Sequence, residues 1–201
     1  MYYRLTPKMQ QEFRQRLRKF HDLFDGIRCD SWGLEELIYK SIQSDNTVNH
    51  HAIWTGRKHD DKADIRVKVN GREHELQIKS GQFLKNGSLK LSAHRLGRFD
   101  KGETEITNYL NSRKYEVLSV PYRKVDNETG RHHIYRIVYI DKHYFGQLNK
   151  SDWKKTPTGK TWKQENPHGI LYTINTGLSW QVWWKIPEPL LNMLEEFVIG
   201  Y

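Results

Sequence analysis

Ala63-Asp64-Ile65-Arg66-Val67-Lys68-Val69-Asn70-Gly71-Arg72-Glu73-His74-Glu75-Leu76-Gln77-Ile78-Lys79 is the most informative stretch of the chain. Residues 63–69 alternate strictly, and the alternation resumes after Arg72 with Leu76 and Ile78 apolar. Period two is that of a half-buried strand, and Asn-Gly between two such runs signals a tight hairpin, because both residues tolerate positive φ. A two-residue loop makes Val69 face Arg72. Carried down the ladder, that register puts Asp64 across from Gln77, with Lys79 diagonal to Asp64. Opposed residues have Cβ atoms about 5 Å apart, close enough for two oxygens to share one cation. One face then carries Asp64, Arg66, Lys68, Glu75, Gln77 and Lys79, and the other carries Leu76 and Ile78. Alternation alone describes the solvent face of an amphipathic hairpin just as well, with Glu75 and Arg66 as a cross-strand pair.

Upstream, Thr6 and Pro7 open a helix in which Met9, Phe13, Leu17, Phe20 and Phe24 recur at helical spacing. A second helix starts at Asp30-Ser31 and runs through Leu34, Leu37, Ile38 and Ile42, with Glu35 and Glu36 in its first turn. Downstream, residues 82–100 are mixed and basic, and Glu103 to Arg113 reads as a helix. Strands are expected at 117–124, 134–140, 170–174 and 179–186, a polar, basic and aromatic loop region at 146–169, and a short closing helix from Pro187 to Phe197. This order predicts an α/β or α+β fold with a mixed central β-sheet flanked by helices. A single domain over 1–201 is expected, with a core at about 30–145 and a β-rich elaboration at about 146–201.

The chain has 201 residues, enough to bury a core without disulfide or metal staples. Thirty-three Lys and Arg against 24 Asp and Glu give +9, and 7 Trp, 11 Tyr and 7 Phe accompany that excess. The combination points to a polyanionic partner, nucleic acid before anionic membrane. No apolar run is long enough to span a bilayer, and the N-terminus lacks the apolar segment of a signal peptide, so a cytoplasmic protein without membrane association is expected. The lone cysteine, Cys29, reads as packing. Ten histidines are present, but no His-Glu-x-x-His or comparable metal spacing.

Asp64 followed by Gln77-Ile78-Lys79, with Gly33-Leu34-Glu35-Glu36 on an upstream helix, resembles the active site of the PD-(D/E)XK nucleases. Within them it is most similar to type II restriction endonucleases that carry Gln in place of the usual acid. The resemblance covers residues 30–80 in motif and, loosely, 103–123 in element order. It implies a restriction-endonuclease-like core and a Mg²⁺-dependent, sequence-specific endonuclease on double-stranded DNA, with Mn²⁺ able to substitute. A homodimer and a cognate DNA methyltransferase in the same host are implied as well. Asp64 would be the central metal ligand, the Gln77 amide and the Ile78 carbonyl would join it, and Glu35 would reach a metal-bound water. Lys79 would orient the attacking water and offset charge on phosphorus. Oxygen ligands of this kind suit Mg²⁺. Gln77 removes one negative charge from the pattern, and Glu36, Asp61 and Glu75 are the auxiliary acids that could restore it. Ala63 stands where the family has Pro, at no cost in ligands.

The basic segments supply the DNA-contact candidates: Lys85, Asn86, His94, Arg95 and Arg98 in the first, and Lys154, Lys155, Lys160, Lys163, Gln164 and Asn166 in the second. Lys and Arg neutralise phosphates, while Asn, Gln and Arg can read base edges. Trp180, Trp183 and Trp184 are expected in a strand core. Two other readings stay open: a structure-selective nuclease (a resolvase or repair nickase), and a non-catalytic nucleic-acid-binding module whose hairpin is a basic ribbon.

Overall fold

Thr6 opens α1 (Pro7–Leu23), its hydroxyl accepting the Met9 N–H at 3.2 Å, and Pro7 takes the first helical position, where no amide is needed. Asp30 opens α2 (Ser31–Gln43) by accepting the Gly33 N–H at 2.8 Å. Each helix buries one stripe: Met9, Phe13 and Leu17 in α1, and Leu34, Glu35, Ile38 and Ile42 in α2. These elements belong to a computed structural model that describes residues 3–24, 27–46, 49–55, 63–97, 102–127 and 130–200. The third helix is α3 (Glu103–Ser112).

The strands are β1 (His50–Trp54), β2 (Ile65–Val69), β3 (Arg72–Phe83), β4 (Leu89–Arg95), β5 (Glu116–Asn127), β6 (Gly130–Ile140), β7 (Lys154–Lys155), β8 (Thr161–Glu165), β9 (Leu171–Asn175), β10 (Gln181–Ile186) and β11 (Asn192–Gly200). The fold is therefore mixed α+β, as the element order predicts. The chain forms two compact units, each assembled from non-contiguous segments. One comprises Met1–Ser80, Tyr115–Tyr139 and Asn192–Tyr201; the other comprises Gly81–Lys114 and Ile140–Leu191.

In the first unit the strand order is β1-β2-β3-β5-β6-β11. Its core gathers Phe13 and Leu17 from α1, Leu34 and Ile38 from α2, Ile65 and Val67 from β2, Leu76 and Ile78 from β3, and Phe197 and Ile199 from β11. Ile65, Val67, Leu76 and Ile78 are fully buried, so the apolar face of the hairpin is the core face. Asn70 and Gly71 have φ of 48° and 79°, the pair a type I′ turn requires, and the ladder runs from Val69 opposite Arg72 to Ile65 opposite Leu76 as read from sequence. In the second unit the order is β3-β4-β10-β9-β8-β7, entered through the last three residues of β3.

Several expectations change. The closing helix expected over Pro187–Phe197 is instead a single 3₁₀ turn, Glu188–Leu190, followed by β11 antiparallel to β6. Leu190, Leu191 and Leu194 imitate helical spacing, but Phe197 and Ile199 enter the core at alternate positions, and tertiary pairing overrides that local signal. Strands β4, β7 and β8 lie in segments that read as irregular, and β1 has no counterpart among the expected strands. Of the three tryptophans expected in a strand core, Trp184 is buried, whereas Trp183 is partly exposed on the other face of β10. Trp180, also partly exposed, precedes that strand with φ of 56°. No helix among the described residues is long and apolar enough to cross a membrane.

A buried histidine cluster sits inside the first unit. His21 Nε2 lies 2.6 Å from the Tyr135 hydroxyl, and the His133 ring is 4.9 Å from that of His21. Burial, reinforced by His21, lowers the His133 pKa from 6.5 to about 4. The unfolded chain then binds more protons between those two values, so stability falls as the pH is lowered across that window. Urea denaturation between pH 7 and 4 is expected to show this slope, and His133→Phe to flatten it.

Candidate functional site

The site forms where the hairpin ladder ends. At Asp64 the backbone leaves the regular register: its N–H donates to the Leu76 carbonyl at 2.9 Å, and its own carbonyl accepts from Thr55 N–H at 3.0 Å and Thr55 Oγ1 at 3.1 Å. The Thr55 hydroxyl also donates to the Ala63 carbonyl, which a continued ladder would have offered to Ile78. The Ile78 N–H turns instead to the Asp64 carboxylate, at 2.7 Å from Oδ2. Simple opposition of Asp64 and Gln77 is therefore corrected. Asp64 is tied to the backbone one residue beyond Gln77, and the Ala63 carbonyl that would have continued the ladder is taken by the Thr55 hydroxyl.

Lys79 projects from β3 with its Nζ 3.8 Å from Asp64 Oδ2, and both side chains are largely shielded, 17% and 22% exposed. Gln77, two residues earlier on the same strand, is buried. Glu35 arrives from α2, only 8% exposed, and its Oε2 accepts from the Trp54 indole N–H at 3.4 Å. The Trp54 ring in turn stacks on Tyr39, 6.0 Å between centroids. Burial first, then repulsion from Asp64, pushes the Glu35 pKa up to about 7, against the pull of the Trp54 hydrogen bond and Lys79. Asp64 and Lys79 thus both act on Glu35 electrostatically, in opposite directions.

The two adjacent acids are distinguished by the helical period. Glu35 lies on the buried stripe of α2 beside Leu34 and Ile38, whereas Glu36 is exposed. Glu75 is spent on Arg66, at 3.7 Å, and Arg66 is also 4.0 Å from Glu73, so the cross-strand pairing accounts for Glu75. Asp61 and Arg98 lie outside the described residues. Burial raises the Cys29 thiol to about 12, which suits packing and not nucleophilic chemistry.

The DNA-contact candidates divide in two. Lys85, Asn86, Arg95, Lys154, Lys155, Lys160 and Lys163 are exposed. Among them Arg95 bonds Gln181 at 3.1 Å, and Lys155 pairs with Glu103 while lying 4.2 Å from the Trp162 ring centroid. Gln164 and Asn166, nominated for reading bases, are buried and serve loop backbone. Gln164 donates to the Asn149 carbonyl at 2.7 Å; Asn166 donates to the Tyr144 and Gly146 carbonyls and accepts from the His168 and Ile170 amides. His94 is partly buried between the rings of Tyr109 and Trp184. Trp54 and Tyr39 carry no sequence signal of their own, and only recognising β1 beside β2 would have placed Trp54 near the acids.

No cluster of three His, Cys, Asp or Glu lies close enough to hold a metal among the described residues. A cation here would rest on two carboxylates, the Gln77 amide, the Ile78 carbonyl, water and substrate oxygen. That donor set fits a hard divalent ion that keeps part of its hydration shell. Glu35 is a buried acid with no ion pair within 4 Å among the described residues, an oxygen donor that a cation would satisfy. No family model matches the chain, and neither a curated protein nor a solved structure shows significant similarity to it.

Because the folded Glu35 holds its proton up to about 7 against an ordinary 4.5, stability is expected to fall as the pH rises through that interval. Glu35→Gln removes this cost and is expected to stabilise the protein at pH 8 by on the order of 2 kcal/mol, measured by urea denaturation. Asp64→Ala should move the Glu35 titration down and Lys79→Ala should move it up, followed by carboxyl carbon NMR.

Proposed function

We propose that the chain is a Mg²⁺-dependent endonuclease that hydrolyses phosphodiester bonds of double-stranded DNA, of the type II restriction class with a D…QxK active site. The convergence of Glu35, Asp64 and Lys79 from α2, the start of β2, and β3 carries this reading. A solvated hairpin face would leave these groups apart and wet. Here a carboxylate is buried and held near a second carboxylate and an ammonium.

Asp64, Gln77 and the Ile78 carbonyl would hold the cation directly, with Glu35 acting through water, and the ion would supply charge neutralisation and an acidified water. The protein's own groups account for the rest. The Ile78 amide fixes the orientation of the Asp64 carboxylate. Lys79, next to that carboxylate, places a compact positive charge where negative charge grows on the phosphate oxygens during in-line attack. Glu35 titrates near 7, which suits taking the proton that the attacking water gives up. Gln77 brings no charge, so a second cation would be held more weakly than in a site with three acids.

Incubation of plasmid and phage DNA with Mg²⁺ is expected to give discrete, sequence-defined fragments, and EDTA to abolish them. Asp64→Ala and Lys79→Ala should each lower the cleavage rate by about a hundredfold or more. Cutting at the wild-type rate by both variants would sink the assignment, and branch-dependent cutting would favour the structure-selective reading. Gln77→Glu is expected to lower the Mg²⁺ concentration that gives half-maximal cleavage. The Gln at position 77 is also what favours a non-catalytic binding module, which predicts no turnover with any divalent ion.

A further inference from the structure

The outer face of the second unit's sheet carries an unexplained arrangement of charge. Lys163 is opposite Thr173, Thr173 opposite Trp183, and Trp183 opposite Ser92. In the neighbouring row Glu165 is opposite Leu171, Leu171 opposite Lys185, Lys185 opposite Lys90, and Lys90 opposite Gln82. The alternate residues Trp162, Tyr172, Ile174, Val182, Trp184, Leu89 and Leu91 are buried, so both rows lie on the outward side.

Two lysines directly opposed on adjacent strands repel each other, which destabilises the sheet. Lys90, Lys163 and Lys185 have no ion-pair partner among the described residues, so no carboxylate neutralises them there. Lys90 holds its ammonium 4.9 Å from the Trp183 ring centroid, on an indole that the sequence placed in the core but the fold leaves partly exposed. An outward sheet face with a partly exposed tryptophan and lysines free of ion pairs around it has the chemistry of a strand-binding platform: stacking for a base, ammonium groups for the phosphates.

We infer that this face binds single-stranded nucleic acid, with an unpaired base against Trp183 and the backbone phosphates on Lys90, Lys185 and Lys163. A duplex keeps its bases stacked inside and offers Trp183 nothing to hold, so the occupant is a single strand. The five strands from β3 to β8 span about 20 Å at ordinary strand spacing, room for a short run of nucleotides. This surface needs neither Asp64 nor a cation, so it stands or falls separately from the nuclease reading.

The test is fluorescence anisotropy of a labelled 15-mer oligothymidylate in EDTA, across a salt series, beside a labelled 15-base-pair duplex. Trp183→Ala is expected to weaken single-strand binding about tenfold and Trp183→Phe to restore most of it. Lys90→Ala with Lys185→Ala should reduce the slope of log affinity against log salt by about 1.4, which is about 0.7 for each phosphate left without its ammonium. Asp64→Ala should bind the single strand like wild type even where it abolishes cleavage. The inference is overturned if wild type does not bind the oligomer. It is equally overturned if Trp183→Ala keeps both wild-type melting and wild-type affinity, or if Asp64→Ala alone removes the binding. Should Trp183→Ala fail to fold, the lysine pair decides by its salt slope.

Discussion

The hydrogen bond from the Ile78 amide to the Asp64 carboxylate, 2.7 Å long, sits at the point where the hairpin stops being an ordinary ladder. A buried strand amide must find an acceptor, and here the acceptor is a side chain, because the Thr55 hydroxyl has taken the Ala63 carbonyl. The same bond orients the carboxylate toward Lys79. Backbone satisfaction and site geometry are thus one constraint. It depends on register: a slip of one residue would turn Ile78 out of the core, bring Lys79 in, and exchange the faces of every other residue of the strand. The fully buried Ile65, Val67, Leu76 and Ile78 oppose such a slip, so the apolar face of the hairpin guarantees the polar one.

Two kinds of buried titratable group coexist in the first unit, and they differ in what their burial achieves. His133 is held neutral inside an aromatic cluster with His21, Tyr122 and Tyr135, where the rings fill space and ionisation is simply suppressed. Glu35 is held close to the edge of ionisation first by burial, with nearby Asp64 and Lys79 acting on it in opposite directions. The first arrangement stabilises the core at neutral pH. The second costs stability as the pH rises toward and through neutrality.

In the second unit the relation between charge and structure is reversed. Gln164 and Asn166 look like base-reading residues but organise the loop at residues 144–149, saturating backbone groups that would otherwise be buried without partners. Trp183, Lys90 and Lys185 look like parts of an ordinary strand pair, yet they leave like charges adjacent on an open face. Polar residue type is a poor guide to which groups face solvent when loops are tightly closed. Strand register is the better guide, because it states which residues share a surface.

Much of the first unit was legible from local signals. Asn70-Gly71 dictated the turn, alternation dictated the faces of β2 and β3, and Thr6 and Asp30 marked the helix starts. Helical period put Glu35 at the edge of the buried face with Glu36 as its competitor, and the structure places Glu35 within the stripe beside Leu34 and Ile38. The reading of Asp64 and Gln77 as oxygen donors beside Lys79 came from the motif resemblance laid on the hairpin register. What no local pattern contained was pairing between distant segments: β11 against β6 where a helix was expected, β1 beside β2 bringing Trp54 to Glu35, and the break at Asp64 imposed by Thr55. Propensity and periodicity act over a few residues and determine which side of an element is apolar. Which element covers that side, and which polar atom must then give up its usual partner, is decided only when the chain closes on itself and every buried amide has to be satisfied.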